Sequence, residues 1–329
     1  MTSSSLRIGV LGAASIVPSA LLEPARSIPE IQIVAIAARD PDRAQAFARK
    51  HHIPRVHASY ADLLADPEID AIYNPLPNGL HAEWSIRALK AGKHVLCEKP
   101  FASNAREAQQ MAQAATETGL VLSEAFAYHY HPLAKRMKDI LASGELGQIQ
   151  HIDAQFCFLL PKPKDIRFNY ALGGGALMDS GCYPASLIRY LAGAEPQVVS
   201  ARAHIFAPQV DSAMTAELSF ADGRSARLTC NMLSPSLFRS FVRVRGKAGT
   251  LTVVNPYHPH WFHWLTIQNR SGRHFEHVPG ENIFVLQLRA FLQAVQGSGN
   301  LTTNPENAIA NMQLIDAIYE KDGLSPRGR

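Results

Sequence analysis

With 329 residues, 47% of them apolar and 18% charged, the chain has enough nonpolar surface for two ordinary folded domains and too little polar bias for extended disorder. Its net charge of +4 comes from 32 Lys and Arg against 28 Asp and Glu spread along the sequence, a pattern that excludes the basic runs of a nucleic-acid binder and suits an anionic cofactor. No stretch approaches the roughly 18 uninterrupted apolar residues of a membrane span, and the opening MTSSSLRIGVLG lacks the charged-then-apolar pattern of a secretory leader, so a cytoplasmic protein without membrane or nucleic-acid partners is expected.

Over the first 125 residues, short β-rich runs alternate with helical patterns. Residues 6–11, 31–38, 69–73, 94–97 and 120–124 read as buried strands, which implies βαβ units and a parallel sheet. Asp40 before Pro41, Ser59 three residues before Asp62, and Asn104 three residues before Glu107 mark helix starts, while Gly92 and Gly119 mark helix stops.

The first strand runs into GVLGAASI. A glycine-rich strand-to-helix turn offers backbone N–H groups to a pyrophosphate, which makes Gly12, Ala14, Ser15 and Ile16 candidate cofactor contacts, although a plain turn accounts for the same residues. The second strand is followed by Arg39, a cation where an NADP site needs one for its 2′-phosphate. NADP is therefore favoured over NAD, with NAD still possible; Asp40 stands by as a ribose ligand or simply as a cap.

The loop NPLPNGLH follows the third of these strands, at the sheet edge where open α/β folds bind ligands. Pro75, Leu76, Asn78 and His81 are candidates there, against the alternative of a stiff connection. VLCEKP then places Glu98 and Lys99 at the lip of an apolar strand. An ammonium group at that lip is expensive unless it meets a ligand or a carboxylate, so the pair is either a catalytic or cofactor-contacting unit or a structural ion pair.

Beyond residue 125 the pattern changes, dividing the chain into an expected cofactor domain at 1–125 and a substrate domain at 126–329. A helix is expected over 132–143, and another after the glycine run at 173–175. In GGGALMDSGCYPASLIRYL, Asp179 and Tyr183 are four apart and share a helix face, giving a carboxylate and a phenol that together can move a proton, although a helix cap and a packed ring account for the same spacing and more often do. A neighbouring Lys99 ammonium would lower the phenol toward the useful range. From 197 to 268 period-2 runs separated by turns indicate a mostly antiparallel sheet, and helices near 283–297 and after Asn304-Pro305 close the chain.

Cys97, Cys157, Cys182 and Cys230 lie far apart without a CxxC pair and read as reduced thiols. His129 and His131, and His258, His260 and His263, are clustered without a Cys or acid that completes a ligand set, so no metal is expected.

Taken together, GVLGAASI, NPLPNGLHAEWSIRALKAGKHVLCEKP and GGGALMDSGCYPASLIRYL resemble the Gfo/Idh/MocA oxidoreductases, in particular the branch of NADP-dependent D-xylose dehydrogenases and dimeric trans-dihydrodiol dehydrogenases. The resemblance implies an α/β chain with an N-terminal Rossmann domain and a C-terminal α+β domain whose large, mostly antiparallel open sheet mediates a homodimer or higher homo-oligomer. It implies that Lys99 touches the reacting hydroxyl and the nicotinamide ribose, that Tyr183 is the acid/base and that Asp179 is its companion. The substrate would be a small polyol, sugar or cyclic diol, with Arg167, Phe168 and Asn169 as candidate contacts unless that stretch is a purely structural loop, and His129 as a weaker candidate. Two alternatives keep the fold: a glycoside-cleaving relative with a bound nicotinamide and no net oxidation, and a nucleotide-binding sensor without turnover.

Overall fold

A computed structural model describes residues 5–328, so the opening Met1–Ser4 of the segment read for a leader lies outside it. The chain divides into two compact units. The first comprises residues up to Ala102, Arg106–Ala127 and Phe284–Ala308; the second comprises Ser103–Ala105, Tyr128–Ile283 and residues from Ile309 onward. The change of pattern read near residue 125 thus falls close to Ala127, but a single cut does not describe the division, because residues 284–308 return to the first unit.

The first unit contains β1 (Leu6–Leu11), a π-turn at Pro18–Leu22 running into α1 (Glu23–Ala25), β2 (Ile31–Ala37), α2 (Pro41–His51), β3 (Arg55–His57) and α3 (Tyr60–Ala65). It continues through β4 (Ala71–Asn74), α4 (His81–Lys90), β5 (His94–Cys97), α5 (Ala105–Thr118) and β6 (Leu122–Glu124). The six strands are ordered β3-β2-β1-β4-β5-β6, and every neighbouring pair is parallel. Strands covered on both faces need near-continuous apolar sequence, and Ile8, Val10, Ile36, Ile72 and Leu96 are accordingly buried. The strand order reverses between β1 and β4, which opens a crevice at the carboxyl edge of the sheet.

Local chemistry sets the element ends. The Asp40 carboxylate accepts a hydrogen bond from the Arg43 amide (3.1 Å) with Pro41 at the first helical position, and the Ser59 hydroxyl accepts one from the Asp62 amide (3.1 Å). Val285, Leu288, Phe291 and Leu292, from the helix over Ile283–Val295, join the core formed by β1 and the segment after it. Leaving such side chains in water costs roughly 1.5–3 kcal/mol each, and that term outweighs chain order in deciding which core the helix joins.

The second unit contains α6 (Pro132–Ala142), β7 (Ile149–Leu159), a π-turn at Leu177–Gly181, α7 (Cys182–Ala192), β8 (Gln197–Ala207), β9 (Val210–Ser219) and β10 (Ser225–Asn231). Next come β11 (Leu233–Gly246), β12 (Gly249–Val254), β13 (Trp264–Asn269) and β14 (Gly272–Glu276); the chain then forms α8 (Ile283–Val295) and α9 (Pro305–Lys321), the latter belonging here from Ile309. The eight strands run β14-β13-β12-β11-β7-β10-β9-β8. All neighbours are antiparallel except β7 and β10, so the sheet is mixed at its middle. Ile152, Ala154 and Phe156 of β7 alternate inward beside Ala226, Leu228 and Cys230 of β10 and Val242 and Val244 of β11, and α7 packs on β7 and β10. Among the described residues no helix is long and apolar enough to cross a membrane.

Candidate active site

The first unit gathers the residues expected around a cofactor at its carboxyl sheet edge. Gly12 follows β1 with φ +89°, and its amide donates to the Ala37 carbonyl at 2.7 Å. A Cβ at Gly12 would lie 3.1 Å from the Leu76 side chain, so the turn is pressed against the loop after β4 in a conformation that favours glycine. Ala14 and Ile16 are half-buried and Ser15 is exposed on this turn. Arg39 stands exposed just beyond β2. Arg43, one turn into α2, donates from Nη2 to the Ala13 carbonyl at 2.8 Å, which brings a second guanidinium to the glycine turn. Sequence reading missed Arg43; the available signal was a cation on the first turn of the helix that Asp40 caps. Burial raises the Tyr60 phenol, whereas Arg39 and Arg43 pull it down, which ties that side chain to both arginines.

Lys99 emerges half-buried after β5, and its backbone is held from both sides. On one side, the Glu98 amide donates to the Asn74 carbonyl at 3.0 Å, the Tyr73 hydroxyl donates to Glu98 Oε1 at 2.6 Å, and the Lys99 amide donates to Glu98 Oε2 at 3.3 Å. On the other, the Lys99–Pro100 peptide is cis, His81 Nδ1 lies 2.8 Å from the Pro100 carbonyl, and the Phe101 amide donates to Glu124 Oε1 at 2.9 Å. His81 Nε2 also reaches the Leu76 carbonyl at 2.7 Å, so one imidazole ties the Pro75–Asn78 loop to the turn that carries Lys99. Burial pushes His81 down to about 4, against the upward pull of the two carbonyls. Asn74 completes the support by donating to the His81 carbonyl (3.2 Å) and to Ser85 Oγ (3.0 Å).

The second unit gathers the proton-transfer candidates. Asp179 lies within the π-turn rather than in the regular helix start that the spacing suggests, and its amide donates to the Gly175 carbonyl at 3.0 Å. Tyr183 is half-buried on the first turn of α7, enclosed by Phe156 (5.2 Å between ring centroids), Tyr257 (5.4 Å), His258 (6.0 Å) and Tyr128 (6.2 Å). This aromatic enclosure was not read from the sequence, because its members come from four separate stretches. Arg167 pairs with Asp179 at 3.0 Å and with Asp165 at 3.1 Å, and these two carboxylates hold its guanidinium above the ordinary range.

The other three candidates of this unit differ in surroundings. Asn169 is exposed and its carbonyl accepts from the Gly174 amide at 2.9 Å; Phe168 is buried against Phe206 at 4.3 Å. His129 is buried, with Nε2 2.9 Å from Ser186 Oγ and its ring 4.9 Å from Tyr190, and burial pushes it down to about 3. Its place is behind α7, one turn past Tyr183.

All four cysteines are free and buried. His263 uses both ring nitrogens, with Nδ1 3.0 Å from the Pro259 carbonyl and Nε2 accepting from the Val278 amide at 3.1 Å. Among the described residues no group of three or more His, Cys, Asp or Glu is arranged to hold a metal ion.

Comparison with known proteins adds to this geometry. Residues 6–126 match the oxidoreductase family with an NAD-binding Rossmann fold, and residues 134–252 match the GFO/IDH/MocA C-terminal domain. The chain is 35% identical to D-xylose 1-dehydrogenase (NADP(+)) 2 of Haloferax volcanii, across 96% of this chain and 97% of that one. It is 32% identical to trans-1,2-dihydrobenzene-1,2-diol dehydrogenase of Sus scrofa, across 77% of this chain and 75% of the other. The crystal structure of a 3-ketoreductase from Actinomadura kijaniata in complex with NADP and TDP-benzene superposes with a TM-score of 0.90 at 31% identity, covering 96% of this chain and 98% of that one. A parallel six-stranded sheet, a mixed eight-stranded sheet, and matches to both domains across most of the chain make this protein a member of the Gfo/Idh/MocA oxidoreductase family.

Proposed function

We propose that the protein is an NADP-preferring oxidoreductase that moves hydride between the nicotinamide and a carbinol carbon of a sugar or cyclic diol. The observation that carries this reading is Lys99, an ammonium side chain delivered to the carboxyl edge of the sheet on a backbone fixed by Glu98, Tyr73 and His81. The chain fits the cofactor: Gly12 has no Cβ where its turn is pressed against Leu76, and Arg39 and Arg43 supply two guanidinium groups for a 2′-phosphate. Ala14, Ser15, Ile16, Pro75, Leu76 and Asn78 would line the remainder of that site, and Glu98 and His81 would hold it in shape.

NADP, when bound, supplies the two-electron chemistry by accepting hydride from the carbinol carbon. Tyr183 takes the hydroxyl proton as general base and returns it in the reverse reaction. Lys99 stabilises the negative charge that develops on the oxygen, so its charge acts mainly in the transition state. Asp179 orients the phenol and is itself oriented by Arg167. Arg167 and Asn169 offer polar contacts to substrate hydroxyls, Phe168 packs on Phe206 next to them in the chain, His129 lies behind α7 against Ser186, and the rings around Tyr183 exclude water and suit the apolar face of a ring substrate.

A spectrophotometric screen of aldopyranoses, inositols and trans-dihydrodiols with NADP and NAD in parallel tests the reading. NADP-dependent oxidation of at least one ring substrate is expected; cofactor binding without turnover across the panel would identify a sensor instead. We also infer that two copies associate through the outer face of the eight-stranded sheet, where Phe241, Trp264 and Phe275 stand among polar residues. Light scattering at micromolar concentration checks this, and a monomeric mass overturns it.

A further inference from the structure

Arg327 is fully buried, although it lies on an irregular segment after α9. A charged side chain is almost never placed there unless its donors are taken up. Its Nε donates to the Gly174 carbonyl at 2.8 Å, Nη1 to the Ser325 carbonyl at 2.8 Å and Nη2 to Asp211 Oδ1 at 2.9 Å, while the guanidinium carbon lies 3.9 Å from the Tyr319 ring centroid. The Arg327 carbonyl is held in turn by Asn104 Nδ2 at 2.6 Å.

The carboxylate partner points the same way. Asp211 Oδ2 accepts from the Leu177 amide at 2.7 Å, and Oδ1 accepts from the Tyr319 hydroxyl at 2.9 Å. A Cβ at Gly175, whose φ is +141°, would run into Asp211, the Tyr319 hydroxyl and the Arg327 guanidinium, so the glycine run is what lets the backbone lie against this cluster. The cluster therefore grips the chain at Gly174 and at Leu177. From the second of those points the chain forms the π-turn with Asp179, and α7 then starts at Cys182 with Tyr183 in its first turn. A π-turn is a rare, less favourable winding that persists where surroundings impose it, and such turns collect at functional sites.

We propose that Arg327, acting with Asp211, is a positioning residue that holds the π-turn at Leu177–Gly181 and so sets the placement of Asp179 and Tyr183 for proton transfer. This rests on the function proposed above. The structure gives the anchor two separate jobs: neutralising Asp211, and hydrogen-bonding Gly174. A purely structural charge pair needs the first alone.

The test uses the full-length protein as wild type, as Arg327→Lys, and as the double variant Asp211→Asn/Arg327→Met, which removes both buried charges together and keeps a folded comparison if Arg327→Met alone does not fold. Three quantities are measured: amide exchange over residues 173–183, NADP affinity by nucleotide fluorescence, and kcat, KM and the pH profile of kcat for the best substrate of the panel. The folded variants are expected to exchange faster over 173–183 and to lose about tenfold or more in kcat, with a displaced pH profile and NADP affinity within about twofold of wild type. Arg327→Lys should retain more activity than the double variant.

Wild-type protection with wild-type kcat in the folded double variant overturns the proposal. Faster exchange with unchanged kcat and pH profile overturns it as well, since the anchor then has no catalytic consequence. If wild type oxidises nothing in the panel, the functional reading fails, while the exchange measurement still decides whether the anchor holds the π-turn.

Discussion

In the role proposed for it, Lys99 combines two demands that pull against each other: it must be rigid enough to meet a developing charge, and it carries a four-carbon flexible stem. The structure meets the first demand by fixing the backbone through Glu98, Tyr73 and His81. Lys99→Met is therefore expected to lower kcat/KM by roughly 10²–10³-fold, comparable to losing one preorganised donor to an oxyanion; steady-state kinetics check it, and intact turnover sinks the proposed role. Tyr183→Phe should lose roughly 10²–10⁴-fold and also lose the pH dependence that a titrating phenol imposes on kcat/KM. For cofactor choice, Arg39→Ala and Arg43→Ala should each raise the KM for NADP by about 10–100-fold, the worth of one charge-assisted hydrogen bond, and leave NAD kinetics nearly unchanged. Equal losses with both cofactors would show that the arginines do not read the 2′-phosphate. Lys99 stands out in the sequence as a charge at the lip of an apolar strand, and Tyr183 through its spacing from Asp179 and the family resemblance; the catalytic roles of both are the proposal that these variants test. Arg43 does not stand out, since an exposed cation on an amphipathic helix is ordinary, and Arg327 does not, since nothing local announces that a Pro-Arg-Gly stretch is buried.

At the scale of elements, local signals performed well where the cause is local. The Ser59 hydroxyl both accepts from the Asp62 amide at 3.1 Å and donates to its carboxylate at 2.7 Å, closing the first turn of α3. Ser59→Ala should cost about 1 kcal/mol, read as a lower urea midpoint at unchanged slope, and an unchanged midpoint would show that α3 is held by tertiary packing alone. What escaped the sequence has nonlocal causes. β3 spans three residues, too few for a period to register. β7 does alternate through Ile152, Ala154 and Phe156, but its partners β10 and β11 lie far along the chain, and its parallel pairing with β10 has no local signature. The π-turn depends on Asp211 and Arg327, and α8 reads correctly as a helix without revealing which core receives Leu288 and Phe291.

At the scale of the whole molecule, histidines distributed through both units couple stability to pH. His81 in the first unit is pushed down to about 4, and in the second His129 is pushed to about 3 and His131 to about 4, in each case by burial first. These rings fold in their neutral form, whereas the unfolded chain protonates near the ordinary value of about 6.5. Between that value and the folded ones the unfolded state therefore binds more protons, so unfolding free energy rises with pH across this window and falls as the solution is acidified. The stabilisation is complete above pH 6.5 and is lost progressively toward pH 4. His81 and His129 should each contribute roughly 1–2 kcal/mol of destabilisation between pH 7 and pH 5, with His131 adding in the same direction. Urea unfolding across that range is expected to show a steadily falling midpoint, and His129→Asn, which keeps a polar group near Ser186 without a titrating ring, should flatten part of the slope. A midpoint constant from pH 7 to pH 5 would mean that these histidines are protonated as readily in the folded protein as in the unfolded chain, against the burial seen at all three positions.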